Sequence, residues 1–138
     1  MTSTLFSLLS GETPAGLFQW RGNVSRDIGG EGRSAGWVVR ELDTRHVRDP
    51  DELYDQIAAA WELPSWFGRN LDALWDVLGD LAVSPLLVVW TGYGDLAEID
   101  PELAQTVLEL LRDASTQARA IAIVVLEAPA LIDLDALL

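Results

Sequence analysis

Three aspartates stand four residues apart in one short segment, Asp72, Asp76 and Asp80, within LPSWFGRNLDALWDVLGDL from Leu63 to Leu81. Carboxylates in such a row suit two kinds of chemistry. They can hold a divalent cation or work as paired acid and base, or they can meet the cations of a partner protein. Read as a helix, the segment puts Leu71, Leu74, Trp75 and Leu78 on one apolar stripe and the aspartates on another face. Like charges at that spacing each weaken an isolated helix by about 0.2–0.5 kcal/mol, and no lysine or arginine lies between Arg69 and Arg112 to relieve them. Something beyond the helix's own stability favours the pattern. Ligands at i and i+4 on one helix need a second element to close an octahedral metal site, and no phosphate loop, histidine pair or nucleophile–base set accompanies them. A carboxylate-based metal-dependent enzyme is the weaker alternative, and a surface for a cation-rich partner is the stronger.

The neighbours of the aspartates sharpen this. Asp72 falls in the first helical turn, where the dipole favours an acid by about 0.3–1 kcal/mol; Asp76, a turn further on, has no such support. Trp66 and Phe67 lie between Pro64 and Gly68, in a turn where burying both rings is awkward, so Trp66 at least is expected to be exposed. Trp75 reads as core more than contact, and Trp37, Trp61 and Trp90 as core. His46, the only histidine, sits in RHVR as a surface residue.

Charge is distributed unevenly around this segment. Residues 1–49 hold six acids and six arginines, whereas residues 50–138 hold sixteen acids and three arginines, which accounts for the whole net charge of −13. Such a field repels nucleic acid and anionic lipid and speeds encounter with basic proteins, so neither direct nucleic-acid binding nor membrane association is expected. The absence of cysteine excludes a disulfide framework, a thiol nucleophile and thiolate metal ligation. The N-terminal MTSTLFSLLSG lacks the basic and long apolar regions of a signal peptide, and no apolar run approaches the roughly 20 residues of a membrane span. A cytoplasmic location is expected.

The elements that must position the aspartates follow from periodicity. Trp37–Leu42, Leu86–Trp90 and Ala120–Leu126 are apolar on both sides and of strand length, as in a parallel sheet covered on both faces. Two helices separate the first pair of strands and one the second, giving a β-α-α-β-α-β core. Asp49-Pro50 and Asp100-Pro101 each place a capping carboxylate before a proline suited to the first helical position. The first helix is expected to bury Leu53, Ile57 and Trp61, and the last Leu103, Val107, Leu110, Leu111 and Ala114. Residues 1–35 read as an N-terminal extension with one possible strand at Leu17–Trp20, residues 22–35 as loop or poorly formed helix. Residues 36–138 form the main domain, its tail from Glu127 starting in a proline-broken turn.

The run LPSWFGRNLDALWDVL resembles the barstar family, intracellular inhibitors of small secreted ribonucleases, and the resemblance extends from about Trp37 to Leu126. It implies a short three-stranded parallel sheet flanked by helices, no enzymatic activity, no cofactor and no metal. It also implies a 1:1 complex with a small basic ribonuclease of secreted or toxin type. The matching partner-binding positions are Trp66 and Phe67 in the loop, Asn70 at the helix start, Leu71, Asp72, Trp75 and Asp76 on the helix, and Asp113 on the last helix. Asp72 and Asp76 would stand where substrate phosphates lie. Departures from the family pattern are Trp66 and Phe67 for tyrosines, Arg69 for an acid, Asp80-Leu81 for a glycine-tryptophan pair and Gln117 for an acid. An immunity protein or antitoxin against a different basic toxin is the alternative of the same binding class.

Overall fold

A computed structural model describes residues 3–117, 120–127 and 134–138. In chain order the elements are α1 (Leu5–Leu9), β1 (Leu17–Trp20), α2 (Ile28–Ser34), β2 (Val38–Asp43), α3 (Pro50–Ala60), α4 (Leu71–Leu81), β3 (Leu86–Thr91), α5 (Tyr93–Ile99), α6 (Pro101–Gln117), β4 (Ile121–Val125) and β5 (Asp135–Leu137). The strands form one sheet in the order β2-β3-β4-β1-β5, and every described pair is parallel.

The three expected strands are present and adjacent, but the sheet has five strands rather than three. Leu17–Trp20 is inserted between β4 and β5, so part of the N-terminal extension sits inside the sheet. The fifth strand is only three residues long, too short for its alternation to be read. The turn expected at Pro129 lies outside the described residues. β3 and β4 are buried along their length, as strands covered on both faces must be, whereas edge strand β2 is buried only at intervals.

Each face of the sheet has its own core. On one, α3, α4, α5 and α6 deliver Leu53, Ile57, Leu74, Leu78, Leu96, Val107 and Leu111 onto Leu86, Val88, Ile121 and Ile123. On the other, Leu5, Leu8 and Ile28 pack with Phe18 and Trp20 against Val39, Leu87, Val89, Ala122 and Val124. The second core explains why residues 22–35 hold a well-placed helix although their glycine content argues against one. A Cβ at Gly32 would come within 2.7 Å of the Leu87 side chain and 3.1 Å of Val39, so the missing side chain lets α2 lie close on the sheet. Asp27 caps it, accepting from the Gly30 amide at 3.0 Å. The five-residue α1, also unexpected, is held by a reciprocal Thr4–Ser7 cap.

The predicted caps form: the carboxylate of Asp49 accepts from the Glu52 amide at 2.9 Å and that of Asp100 from the Leu103 amide at 3.1 Å. Leu53, Ile57 and Trp61 are buried, with Tyr54 beside them; Leu103 and Leu110 are only half-buried. Two helices, not one, join β3 to β4. The extra α5 begins after Gly92, whose φ of +85° and tight approach to Arg45 (2.6 Å from a Cβ to the backbone nitrogen) leave room for no side chain. Trp90 is fully buried, and its indole donates to Thr44 at 2.9 Å. Trp37, expected in the core, is half-buried at its rim, where its indole donates to the Leu9 carbonyl. His46 is exposed.

Candidate partner-binding surface

The loop entering α4 sorts its two aromatic rings to opposite sides. The Phe67 amide donates to the Pro64 carbonyl at 3.0 Å, closing a turn with Ser65 and Trp66 at its corner. Trp66 points outward and is 80% exposed, as its place in the turn predicts. Phe67 turns inward and is 6% exposed, its ring edge-on to Tyr54 with centroids 6.4 Å apart. Phe67 therefore anchors the loop to α3, and only Trp66 offers stacking area to a partner.

Three further residues fix the loop. Arg69 takes a φ of +53°, and its guanidinium donates to the Asp51 carbonyl at 3.2 Å and pairs with the Asp55 carboxylate on α3. Asn70 caps α4: its carbonyl accepts from the Ala73 amide at 2.8 Å while its amide donates to the Gly68 carbonyl at 3.0 Å. Both ends of that side chain are occupied, so in this conformation it shapes the loop. A Cβ on Gly68 would stand 3.1 Å from the Ala73 methyl, which keeps the turn tight.

On α4, Leu74 and Leu78 are buried and Leu71 and Trp75 half-buried, while Asp72, Asp76 and Asp80 are all exposed. Leu71, Asp72 and Trp75 form one wall of a cleft of about 280 Å³ whose other wall is Thr106, Glu109, Leu110 and Asp113 of α6. Thus Asp72 and Asp113, far apart in the chain, share one recess with Leu71 and Trp75. Asp76 lies one turn along α4 outside it, and Trp66, Phe67 and Asn70 do not line it. Glu109 and Thr106 are not among the residues the sequence singles out; the spacing of Glu109 four residues before Asp113 is the one signal that points to it.

Among the described residues the ion pairs are Arg26–Glu31, Arg45–Asp43, Arg48–Glu52 and Arg69–Asp55, so none of Asp72, Asp76, Asp80, Glu109 and Asp113 meets a cation of the chain. No group of three His, Asp or Glu side chains among the described residues comes together to hold a metal ion. Another groove, of about 730 Å³, lies between α1 and α2 and holds none of the predicted contact residues.

The geometry combines an exposed aromatic with an unpaired acidic helix on a stiffened loop, and the sequence around it matches a known family. Residues 37–127 fit the family described as Barstar (barnase inhibitor). The chain belongs to the barstar family. A Bacillus subtilis (strain 168) protein named "Putative ribonuclease inhibitor YrdF" is 30% identical over 78 residues, covering 56% of this chain and 86% of that protein. Among solved structures, the Aeropyrum pernix ORC2 protein in its ADPNP-ADP complexes superposes with a TM-score of 0.56 at 15% identity. That likeness covers 88% of this chain and 37% of the other, and concerns the fold alone. The barstar match begins at Trp37, so α1, β1 and α2 lie outside it.

Proposed function

We propose that this chain is a non-enzymatic inhibitor that binds a small basic ribonuclease one to one and closes its active site. The observation that carries the reading is a row of exposed carboxylates on α4, without ion-pair partners among the described residues, beside an 80% exposed Trp66 in a barstar-family chain. Asp72 and Asp76 take the places of substrate phosphates against the enzyme's cations, and Asp113 adds a carboxylate from α6. Trp66 covers the contact and excludes water, so that charge pairs weak in solvent strengthen on docking. Leu71 and Trp75 form the apolar part of the interface. Phe67 and Asn70 act from behind it by holding the loop. The acidic later part of the chain speeds encounter, over a distance limited by a Debye length of about 10 Å at 0.1 M salt. A cytoplasmic protein of this kind guards RNA against a nuclease that is secreted or introduced; among the described residues no helix is long and apolar enough to cross a membrane.

The test is titration of the chain into barnase, the ribonuclease in the family's description, and into other small basic ribonucleases. A fall in RNA cleavage that is linear in added chain and complete at a 1:1 ratio, with a 1:1 complex by calorimetry, is expected with the cognate enzyme. Undiminished cleavage throughout, with no complex by calorimetry, overturns the reading.

A further inference from the structure

The groove between α1 and α2 lies on the side of the sheet away from α4 and α6, in the part of the chain that precedes the barstar match. We propose that it is a self-association surface, on which two copies of the chain pair about a twofold axis, each seating its Phe6 ring in the groove of the other. The proposal goes beyond the inhibitor reading and does not rest on it.

Phe6 is 72% exposed, yet the short helix that carries it is tied down. Thr4 and Ser7 cap it reciprocally, the Leu5 amide donates to the Leu138 carbonyl at 2.6 Å, and the Leu9 carbonyl accepts from the Trp37 indole at 3.1 Å. A lone exposed ring is ordinary on a protein surface. One held on a fixed helix beside an open groove is pre-organised, so docking it costs little further order. Half-buried Leu9 continues the apolar side of α1 into the groove, and the opposite wall offers Gly30, Ser34 and Ala35, whose small side chains leave room for a ring. A single patch thus holds both a projecting phenyl and a recess. A twofold contact requires this self-complementarity, because residue i of each copy must meet residue j of the other.

Charge selects a second copy as the occupant. Residues 50–138 hold sixteen acids against three arginines, so a basic protein is drawn to that part of the chain and a second copy is repelled by it. Residues 1–49, with six of each sign, form the part where two such acidic chains can meet without strong repulsion. Within the groove the charges are already engaged. Arg26 pairs with Glu31 at 2.8 Å and lies over the Trp20 ring, while Asp27 accepts from the Gly30 amide at 3.0 Å. The contact is therefore driven by apolar burial, with Phe6 as its anchor. Pairing through this side of the sheet leaves α4 and α6 of both copies uncovered.

Sedimentation velocity of the intact chain, from micromolar to millimolar concentration and at low and high salt, tests the pairing. A monomer–dimer equilibrium is expected, and it should tighten several-fold as salt rises, because salt screens the repulsion between two acidic bodies and leaves the apolar contact intact. Phe6→Ser should weaken the dimer by at least about tenfold, since each pair loses two seated rings. Ser34→Arg, which fills the recess while lowering the net repulsion, should weaken it comparably. A mixture of the two variants should associate better than either alone, because a mixed pair keeps one intact contact, the ring of the second in the recess of the first. Asp80→Asn, on the other side of the sheet, should not weaken the dimer. Both groove positions are exposed, so thermal melts should show each variant folded; if one does not fold, the other and the salt dependence decide. A chain that stays monomeric throughout leaves the groove to a partner of different sequence and overturns the proposal. So does an association that weakens as salt rises, one that neither variant affects, or one that grows beyond the dimer.

Discussion

Beside α2, Arg26 pairs with Glu31 and stacks over Trp20 while Asp27 caps the helix; on α4 and α6, Asp72, Asp76, Asp80, Glu109 and Asp113 form no ion pair among the described residues. The two regions also place their rings differently. Phe18 and Trp20 are buried in the second core, whereas Trp66 stands in solvent. Charges answered internally and rings packed away serve the fold. Charges left unanswered cost the fold a little, a cost that the proposed complex would recover. On the proposed function, the contrast separates residues that keep the protein folded from residues that meet a partner, and it can be broken by experiment.

The largest expected effect is on binding. Asp76→Ala should weaken the complex with the cognate ribonuclease by about 4–8 kcal/mol, a range whose upper value comes from barstar itself. The same change should hold or slightly raise the melting temperature, since it relieves repulsion from Asp72 and Asp80. Calorimetric titration beside a thermal melt decides it: intact affinity removes Asp76 from the interface, and a steep drop in Tm makes it structural.

Next in size is the opposite result from the other region. Trp20→Ala should destabilise the chain by about 3–5 kcal/mol, read by urea unfolding, while the fraction still folded binds with unchanged affinity. Weakened binding by that folded fraction would erase the division between the two regions.

Two glycines sharpen it further. Gly32→Ala should cost about 1–3 kcal/mol, because its Cβ would press on Leu87 and Val39 in a packed core. Gly79→Ala, in α4 with nothing within 4 Å of a Cβ, should stabilise by about 0.5–1 kcal/mol. Paired melts of the two variants should move in opposite directions; movement in the same direction would refute the packing account of α2.

The smallest effect concerns pH. The Arg26 hydrogen bond holds the Glu31 carboxyl below the usual carboxylate range. A lowered folded-state value means the contribution is present above the unfolded pKa and is lost as pH falls through the folded one. The pair is exposed, so Glu31→Gln should slightly flatten the acid limb of the stability curve and leave neutral-pH stability within about 1 kcal/mol. A change confined to neutral or alkaline pH would contradict the assignment.

Much of the fold and of the acidic surface is legible in the amino-acid sequence wherever the signal is local. The Asp-Pro caps, the apolar stripe of α4 and the two-sided strands β3 and β4 follow from chemistry within a few residues. Features that depend on distant partners are not legible in this way. The helix at Ile28–Ser34 is unfavourable by composition and exists because Leu87 and Val39 wait for its glycines. β1 reads as a strand, but nothing local to it says that it inserts beside β4. The turn predicts that Trp66 is exposed, but that Phe67 is drawn in depends on Tyr54 on α3. The pairing of Glu109 and Asp113 with Asp72 across the cleft is likewise a product of how two helices meet.

The strand order has a consequence for how the chain is made. Within this sheet β1 is synthesised before the other strands, and its two neighbours begin at Ile121 and Asp135. At about 5–20 residues per second, Leu17–Trp20 waits roughly 5–20 s with neither edge bonded. During that interval the nascent chain displays Phe18 and Trp20 on an open strand, the kind of edge that recruits other chains. The arginines and acids of the first 49 residues balance, so repulsion between such chains grows only as the acidic later part emerges, and folding yield should depend on how fast β4 and β5 arrive.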